Sequence, residues 1–337
     1  MAQADSILVK GAYRNFILHL PAGYTTAKRY PLVLNLHGLN SNALEQEAYT
    51  QYDAIADTAG FIVVYPNAEN GSWDLAGTTD VYFLSRLVDS LRANYSLNNC
   101  LFSTGLSMGG FMTYKLACGL SSLTAISVVA GNMPTLLQYN CAVASGLPVM
   151  HFHGTADAIV PYTGSLGVPP VENTINWWVT KNNCNPAATI TALPNISLTD
   201  DSYVEEYDYK NGTNGSVVSF YKIYNGGHTW PSGIIDIPAH GNTNRDVNAS
   251  IVSWLFFSRF CGQLNLFRWT GLISEVWENP ANWEKGKIPM SFSRVIIPST
   301  APHFPKVAAS TTINSLELKP GSSVTIKNGI VLVMESK

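Results

Sequence analysis

The feature that most constrains the fold is an alternation of short apolar runs with longer segments of helical spacing. The apolar runs are nearly continuous, as expected for strands that are buried on both faces. Strands and helices that alternate along a chain form a mostly parallel sheet covered by helices on both faces. The predicted strands cover residues 30–38, 61–66, 100–104, 125–130, 148–154 and 217–224. The predicted helices cover residues 44–59, 80–95, 108–120, 171–183 and 245–260.

The two ends of the chain differ from this alternating middle. Residues 7–9 and 13–19 predict an antiparallel hairpin at the edge of the sheet. Residues 268–337 contain no Asp and no helical spacing, and their short alternating runs are separated by Pro and Gly. The fold class is therefore α/β. We predict a large α/β domain over residues 1–262 and a small β-rich module over residues 263–337.

Composition limits the function. The chain has 337 residues, of which 46% are hydrophobic and 13% are charged, and its formal net charge is -3. This balance argues against nucleic-acid binding and against an anionic membrane surface, and it favours a neutral or weakly charged substrate. Residues 1–6 do not resemble a signal peptide, and no run of eighteen apolar residues follows. We expect a secreted, monomeric protein in its mature form.

The five cysteines are Cys100, Cys118, Cys141, Cys184 and Cys261. They show no CxxC metal spacing, and their number favours disulfides in an oxidising compartment with at least one thiol left free. Cys118 and Cys141 flank one helix-strand segment and are the favoured pair. Cys100 lies in an apolar strand and is interpreted as a buried thiol.

The pattern Gly105-x-Ser107-x-Gly109 follows a predicted strand and precedes a predicted helix. A nucleophilic serine on a sharp strand-to-helix turn needs this context, because the tight turn leaves no room for a Cβ two residues before or after the serine. The helix N-terminus beneath the hydroxyl would favour developing negative charge. The alternative is an inert serine in a glycine-rich loop.

A triad in this context follows the chain order Ser, then Asp or Glu, then His. Only His228, His240 and His303 come late enough in the chain to be the base. His228 follows a predicted strand directly, whereas His240 lies in a Pro-rich loop and His303 in the β-rich module. Asp157 follows the strand 148–154 and is the predicted acid. The other acidic candidates, interpreted as solvated surface residues, are Asp200, Asp201 and Asp208.

Two backbone N–H groups are expected to form the oxyanion hole, those of Met108 and Leu39. His37 is interpreted as a residue that fixes this loop by hydrogen bonding, not as a general base. His151 and His153 could be read as metal ligands, but no carboxylate with ligand spacing accompanies them. We interpret both as hydrogen-bonded core histidines, and we predict that neither a metal nor an organic cofactor is needed.

Four motifs together resemble the polyhydroxybutyrate depolymerase and feruloyl esterase group, also called family-1 carbohydrate esterases. They begin at Leu36, Gly105, His153 and Gly226, and they read LHG, GLSMGG, HGTADAIVPY and GGHTWP. The resemblance covers residues 6–262 and implies an α/β-hydrolase fold. It also implies a triad of Ser107, Asp157 and His228, the same set that elimination gave. Members are secreted enzymes that cut feruloyl, acetyl or hydroxyalkanoate esters attached to polymers.

Aromatic residues near these motifs are candidates for substrate contact or for packing. Trp73, Tyr162 and Trp230 are predicted to line the pocket. In the C-terminal module, Trp277-x-x-Pro280-x-x-Trp283 resembles β-rich repeats at the ends of secreted Bacteroidetes proteins. Its tryptophans, together with Trp269, could contact polymer or form the module's core, and the core is favoured.

Three other functions stay open at this point. A serine peptidase of the prolyl-oligopeptidase type shares the fold and the elbow, but the chain has no N-terminal region of propeller size. A binding protein that kept the fold would not need all three triad positions filled. A cytoplasmic thioesterase or dienelactone-type hydrolase would be favoured by an absence of disulfides. The acyl group itself, including a synthetic polyester, is not specified by these residues.

Overall fold

The computed structural model describes residues 2–261, 266–284, 286–289, 293–313 and 315–334. The chain forms two compact units, Met1–Phe257 and Ser258–Lys337. The predicted domain boundary at residues 262–263 lies outside the described residues and stays a prediction.

A ten-stranded sheet forms the centre of the first unit, with strand order β1-β2-β4-β3-β5-β6-β7-β10-β9-β8. The six strands from β4 to β10 in this order pair in parallel, and the strands outside them pair antiparallel. The mostly parallel sheet and the leading hairpin are therefore confirmed. The strands are β1 Ala2–Val9, β2 Ala12–His19, β3 Tyr30–Leu36, β4 Ile62–Pro66, β5 Leu97–Leu106, β6 Ala125–Val129, β7 Val149–Gly154, β8 Thr189–Ala192, β9 Tyr203–Tyr209 and β10 Val218–Tyr224.

Central and edge strands differ in burial. Every residue of β3, β4, β6 and β7 is buried, which explains their continuous apolar sequences. By contrast, all four residues of the edge strand β8 are exposed. Neither β8 nor β9 was predicted, because neither sequence is a continuous apolar run. Asp208 on β9 is buried and accepts a hydrogen bond from Ser219, so its interpretation as a solvated residue is wrong.

Seven α-helices accompany these strands in the described part of the chain. The predicted helix 44–59 is two helices, because Gln51 adopts a left-handed conformation with φ 56° and ψ 30°. Its N–H bonds to the Glu47 carbonyl and closes the first helix. A short helix after β6 was not predicted. The helices are α1 Ala43–Thr50, α2 Tyr52–Ala59, α3 Thr79–Asn94, α4 Met108–Gly119, α5 Thr135–Asn140, α6 Val171–Lys181 and α7 Ala249–Arg259.

The cysteines confirm one prediction and correct another. Cys118 and Cys141 form a disulfide, as predicted. Cys100 is also disulfide-bonded, as is Cys261, so the interpretation of Cys100 as a buried thiol is wrong. Burial in a strand does not by itself distinguish a thiol from a disulfide. The free cysteine is Cys184, which is buried. None of the described helices is long and apolar enough to cross a bilayer.

The second unit is a coil of parallel strands. Successive turns pair Arg294 with Ser315, Lys306 with Thr325, and Thr311 with Leu332, which are 21, 19 and 21 residues apart. Strands that pair in parallel at a constant spacing are typical of a solenoid. Its strands are β11 Leu266–Arg268, β12 Arg294–Ile297, β13 Lys306–Val307, β14 Thr311–Ile313, β15 Ser315–Leu318, β16 Thr325–Ile326 and β17 Leu332–Met334.

The tryptophans of the second unit form its core. Trp269, Trp277 and Trp283 are 0%, 0% and 2% exposed, and the three indoles contact one another. The interpretation of these residues as core is confirmed, and contact with polymer through them is excluded by their burial. The resemblance to Bacteroidetes repeats stays a prediction.

Candidate active site

Ser107 lies on a sharp turn between β5 and α4. Its φ of 55° and ψ of -121° are unusual for a residue with a side chain. A Cβ at Gly109 would overlap the Leu36 carbonyl oxygen, and a Cβ at Gly105 would lie 2.5 Å from the Gly109 carbonyl carbon. Both glycines are therefore required by close backbone approach, as the pattern predicts.

Asp157 and His228 meet across the carboxyl ends of two neighbouring strands. Asp157 follows β7 and His228 follows β10, and His228 Nδ1 donates to Asp157 Oδ2 at 2.8 Å. The other carboxylate oxygen, Oδ1, accepts from the N–H groups of Ile159 at 2.9 Å and Val160 at 2.8 Å. The Asp157 side chain is fully buried. This arrangement leaves His228 Nε2 as the nitrogen that can act as a base.

Ser107 and His228 line the same cleft, which has a volume of about 520 Å³. Six of the twelve other lining residues are aliphatic, and the wall comes mainly from α1, from the loop after β3 and from the loop after His228. The lining residues are Gly38, Leu39, Ser41, Leu44, Glu45, Gln46, Ala48, Tyr49, Leu106, Ile235, Ile237 and His240. The structure thus brings the acid and base into contact and places the base and nucleophile on one cavity.

The predicted oxyanion donors lie beside the nucleophile. Met108 is the first residue of α4, so its N–H has no partner inside the helix. Leu39 belongs to the cleft wall next to Gly38. An acceptor bound at Ser107 could therefore reach a helix N-terminus, which favours negative charge. The assignment of these two N–H groups stays a prediction.

The loop that carries Leu39 is held by His37. The ring donates from Nδ1 to the Gly38 carbonyl at 2.7 Å and accepts at Nε2 from the Ala68 N–H at 3.0 Å. Burial lowers the pKa of His37, so the ring is neutral, as these two bonds require. Trp73 Nε1 donates to the His37 carbonyl at 2.8 Å. The interpretation of His37 as a residue that fixes this loop is confirmed.

Residues 10–120 match the sequence profile of the esterase family, described as "Putative esterase". A bifunctional acetylxylan esterase/xylanase of Neocallimastix patriciarum is 31% identical over 45% of this chain and 23% of its own length. A "Probable feruloyl esterase C" of Aspergillus terreus is 27% identical over 52% of this chain and 64% of its own length. Part of the chain, residues 10–120, is thus similar to the esterase family.

An acetyl xylan esterase from Aspergillus awamori shares the fold at 15% identity. The superposition has a TM-score of 0.53 and covers 67% of this chain and 94% of that chain. The predicted α/β-hydrolase fold is thereby confirmed. This chain spans about a quarter of the first curated relative and just under two thirds of the second.

The aromatic residues predicted to line the pocket lie outside the cleft wall. Trp73 and Trp230 are only 2% and 1% exposed, and neither borders the cleft. Trp230 Nε1 donates to Ser250 at 2.9 Å, and the Tyr162 hydroxyl donates to Glu172 at 2.7 Å. None of the three residues borders this cleft, because their side chains pack and bond beneath or beside it, and a role in substrate contact stays a prediction.

One histidine in the cleft was set aside by sequence reasoning. His240 borders the cavity, and its ring centre lies 5.7 Å from that of His228. Its carbonyl accepts from the His228 N–H at 2.6 Å, so the loop folds back on itself. Burial and the neighbouring His228 lower the pKa of His240. The Pro-rich sequence around His240 contains no motif that would predict that this loop folds back to His228.

His151 and His153 are buried on β7 and fully engaged in hydrogen bonds. Their four ring nitrogens face Tyr114, each other and the Val160 carbonyl. The interpretation of both as core histidines is confirmed. In the described residues, no group of three or more His, Cys, Asp or Glu side chains has the geometry to hold a metal ion.

Proposed function

We propose that the protein is a serine carboxylic ester hydrolase that uses Ser107, His228 and Asp157. The observation that carries the proposal is the 2.8 Å bond between His228 and Asp157, with His228 and Ser107 on one apolar cleft. Three buried strands end at these residues, which follow the chain order expected for the fold. The esterase profile and the named relatives support the same activity.

The proposed reaction needs only ester and water. As Ser107 Oγ attacks the ester carbonyl carbon, His228 Nε2 takes its proton, and Asp157 holds the imidazolium. The Met108 and Leu39 N–H groups bind the oxyanion. His228 then returns the proton to the departing alkoxide oxygen, which leaves an acyl-enzyme. Water attacks this ester through the same base, so the acid is released and Ser107 regains its proton.

The cleft supports an uncharged acyl group. Leu39, Leu44, Ile235 and Ile237 supply aliphatic walls near Ser107, and such walls bind apolar surface without orienting polar groups. Feruloyl or acetyl esters of plant polysaccharide and a hydroxyalkanoate or aromatic polyester are the proposed substrate classes. The relatives are named for acetylxylan and feruloyl esters. Assays on methyl ferulate, acetylated xylan and a hydroxybutyrate polyester film would rank these classes.

Replacing the nucleophile tests the proposal directly. We expect Ser107→Ala to lower turnover of p-nitrophenyl acetate by about 10³-fold or more, because no other group can form the acyl-enzyme. Ser103→Ala is the matched control, since Ser103 lies on the same strand and bonds to Thr113 away from the cleft. Turnover by Ser107→Ala equal to that of Ser103→Ala would refute Ser107 as the nucleophile, and an absence of turnover in the natural chain would favour a binding protein.

The remaining proposals concern specificity and location. A peptidase of the prolyl-oligopeptidase type is the second activity, and cleavage of a proline-containing peptide faster than any ester would favour it. We also propose that the protein is a secreted monomer, supported by its disulfides. Polymer contact through the second unit would use exposed residues such as Leu272 and Ile273. Binding of the chain to an insoluble polyester film, with and without aspartate at both positions, tests this contact.

A further inference from the structure

The carboxylate of Asp157 is a buried anion that depends on its donors. The Ile159 and Val160 N–H groups serve Oδ1, and His228 serves Oδ2. A fourth group also faces Oδ2, because His153 Nε2 lies 3.4 Å from it. Neither histidine side chain is more than 4% exposed, so water does not compete strongly here.

The position of the proton on His153 follows from its neighbours. Its Nε2 faces two acceptors, the Val160 carbonyl at 2.9 Å and Asp157 Oδ2. Nε2 must therefore carry a hydrogen, since a lone pair there would oppose both oxygens. Burial lowers the pKa of His153 although Asp157 opposes the shift, so the ring is neutral and its Nδ1 is an acceptor.

The donor to His153 Nδ1 is His151. His151 Nε2 lies 3.1 Å away and must carry the hydrogen between these two nitrogens. Burial lowers the pKa of His151 well below its usual value, and His153 adds to the shift, so this ring is also neutral. Its Nδ1 accepts from the Tyr114 hydroxyl at 2.7 Å. Every hydrogen in the chain therefore points from Tyr114 towards Asp157.

This chain, which we call the Tyr-His-His relay, consists of Tyr114, His151 and His153. Tyr114 belongs to α4, the helix that begins immediately after Ser107, and the two histidines belong to β7, which precedes Asp157. The relay presents an N–H to the carboxylate without adding a positive charge. A charged His153 would instead compete with His228 for Oδ2, so neutrality matters as much as position.

We propose that His153 is a positioning residue for Asp157, and that His151 and Tyr114 fix the tautomer in which it acts. This inference rests on the proposed hydrolase function. His153 touches neither the substrate cleft nor Ser107, so it acts through the orientation of the Asp157 carboxylate. Its removal should leave substrate binding in place and weaken the base.

His153→Phe is the main test. The titratable groups that face His228 are Asp157, His153 and His240. A carboxylate fixed beside Nδ1 stabilises a protonated imidazole, so loosening Asp157 should make His228 a weaker base. We expect the acid limb of kcat/KM to move to lower pH and kcat to fall by about 10²-fold, with KM nearly unchanged. His153→Gln, which keeps one donor and one acceptor, should recover part of the loss.

Tyr114→Phe tests the far end of the relay. Without the hydroxyl, His151 can hold its hydrogen on Nδ1, which leaves His153 Nδ1 without a donor. We expect the same change as in His153→Phe but smaller. Tyr65→Phe is the matched control, because Tyr65 is a buried tyrosine whose hydroxyl donates to Asp53. It should cost stability without moving the acid limb.

A double-mutant cycle separates positioning from a general structural role. If His153 acts through Asp157, His153→Phe should have no further effect on kcat in an Asp157→Asn background. Nitrogen NMR of the full chain should show both His151 and His153 as neutral Nε2–H tautomers. Additive losses, an unmoved acid limb or an Nδ1–H tautomer at His153 would each overturn the proposal. Retained turnover in Ser107→Ala would instead overturn the proposed Ser107, His228 and Asp157 mechanism, so the two failures are distinguishable.

Discussion

Two His-Gly dipeptides lie at the same edge of the sheet and have different roles. His37-Gly38 follows β3, and His153-Gly154 ends β7. Burial lowers the pKa of both imidazoles, so both rings are neutral. His37 bonds to backbone at both nitrogens, whereas His153 bonds to one carbonyl and one histidine and faces the acid. The same dipeptide thus fixes a loop after β3, whereas at the end of β7 it faces the charged Asp157 carboxylate.

The glycines give the largest expected difference between the two pairs. A Cβ at Gly154 would overlap the Gly226 carbonyl, which precedes His228, so we expect Gly154→Ala to destabilise the fold by about 3 kcal/mol or more. A Cβ at Gly38 would lie 3.5 Å from the Ser107 Cβ and 3.7 Å from the Leu106 carbonyl oxygen, which are ordinary contacts. Gly38→Ala should change stability by less than about 1 kcal/mol. Urea unfolding of both variants measures this, and equal losses would contradict it.

Replacing His37 tests whether this residue only fixes its loop, in contrast to His153, which faces the Asp157 carboxylate. His37→Leu leaves the buried Ala68 N–H without its acceptor, which costs about 1–3 kcal/mol. We expect kcat to fall about tenfold as the loop carrying Leu39 loosens. The acid limb of kcat/KM should stay where it is, because His37 does not face Asp157 or His228. Movement of the limb to the extent expected for His153→Phe would remove the difference between the two pairs.

Acidification should weaken the fold through the same neutral histidines. Unfolded imidazoles have a pKa near 6.5, whereas burial lowers the pKa of His37, His151 and His153 in the folded chain. Below about pH 6.5 the unfolded state therefore binds more protons, and stability is lost as pH falls. Each ring contributes at most about 1.4 kcal/mol per pH unit. His37→Leu should lose less stability than the natural chain between pH 7.5 and 5.0 in urea unfolding.

Glu47 provides a control of opposite sign. Burial, with a smaller effect from Asp53, raises the pKa of Glu47 to about 7. Between about pH 4.5 and 7 the folded chain therefore binds more protons at Glu47 than the unfolded chain does. The stability that this protonation contributes is lost as the pH rises through that window. Glu47→Gln should make the acid-side loss steeper, whereas His37→Leu should make it shallower. If both variants changed the steepness of the acid-side loss of stability in the same direction, these assignments of protonation would be contradicted.

The sequence was most informative where function and burial coincide. Ser107, Asp157 and His228 each follow their own buried strand, so position and chain order were enough to select them. The cleft wall was not predictable in this way, because Leu44 and Ile235 come from distant, unremarkable segments. Trp230 belongs to the GGHTWP motif in sequence, but both Trp73 and Trp230 are buried away from the cleft wall. Being close to a motif in sequence therefore does not predict that a side chain borders the cleft, because that depends on three-dimensional packing.

Local conformation explains the other differences. Gln51 is not a residue type that signals a left-handed turn, so the break between α1 and α2 has no sequence marker. The strands β8 and β9 lack a continuous apolar run, since strands at and next to the sheet edge do not require one. His240 was set aside because a Pro-rich loop gives no indication of where it returns.

The parallel coil of the second unit also has a consequence for change over evolutionary time. Because β15, β16 and β17 each pair with a strand about twenty residues earlier, gain or loss of a whole turn there leaves the remaining pairs in register. Insertion of a single residue within β12 would instead turn the buried Val295 and Ile297 outwards. The second unit can therefore gain or lose whole turns, whereas the number of residues within each strand is constrained.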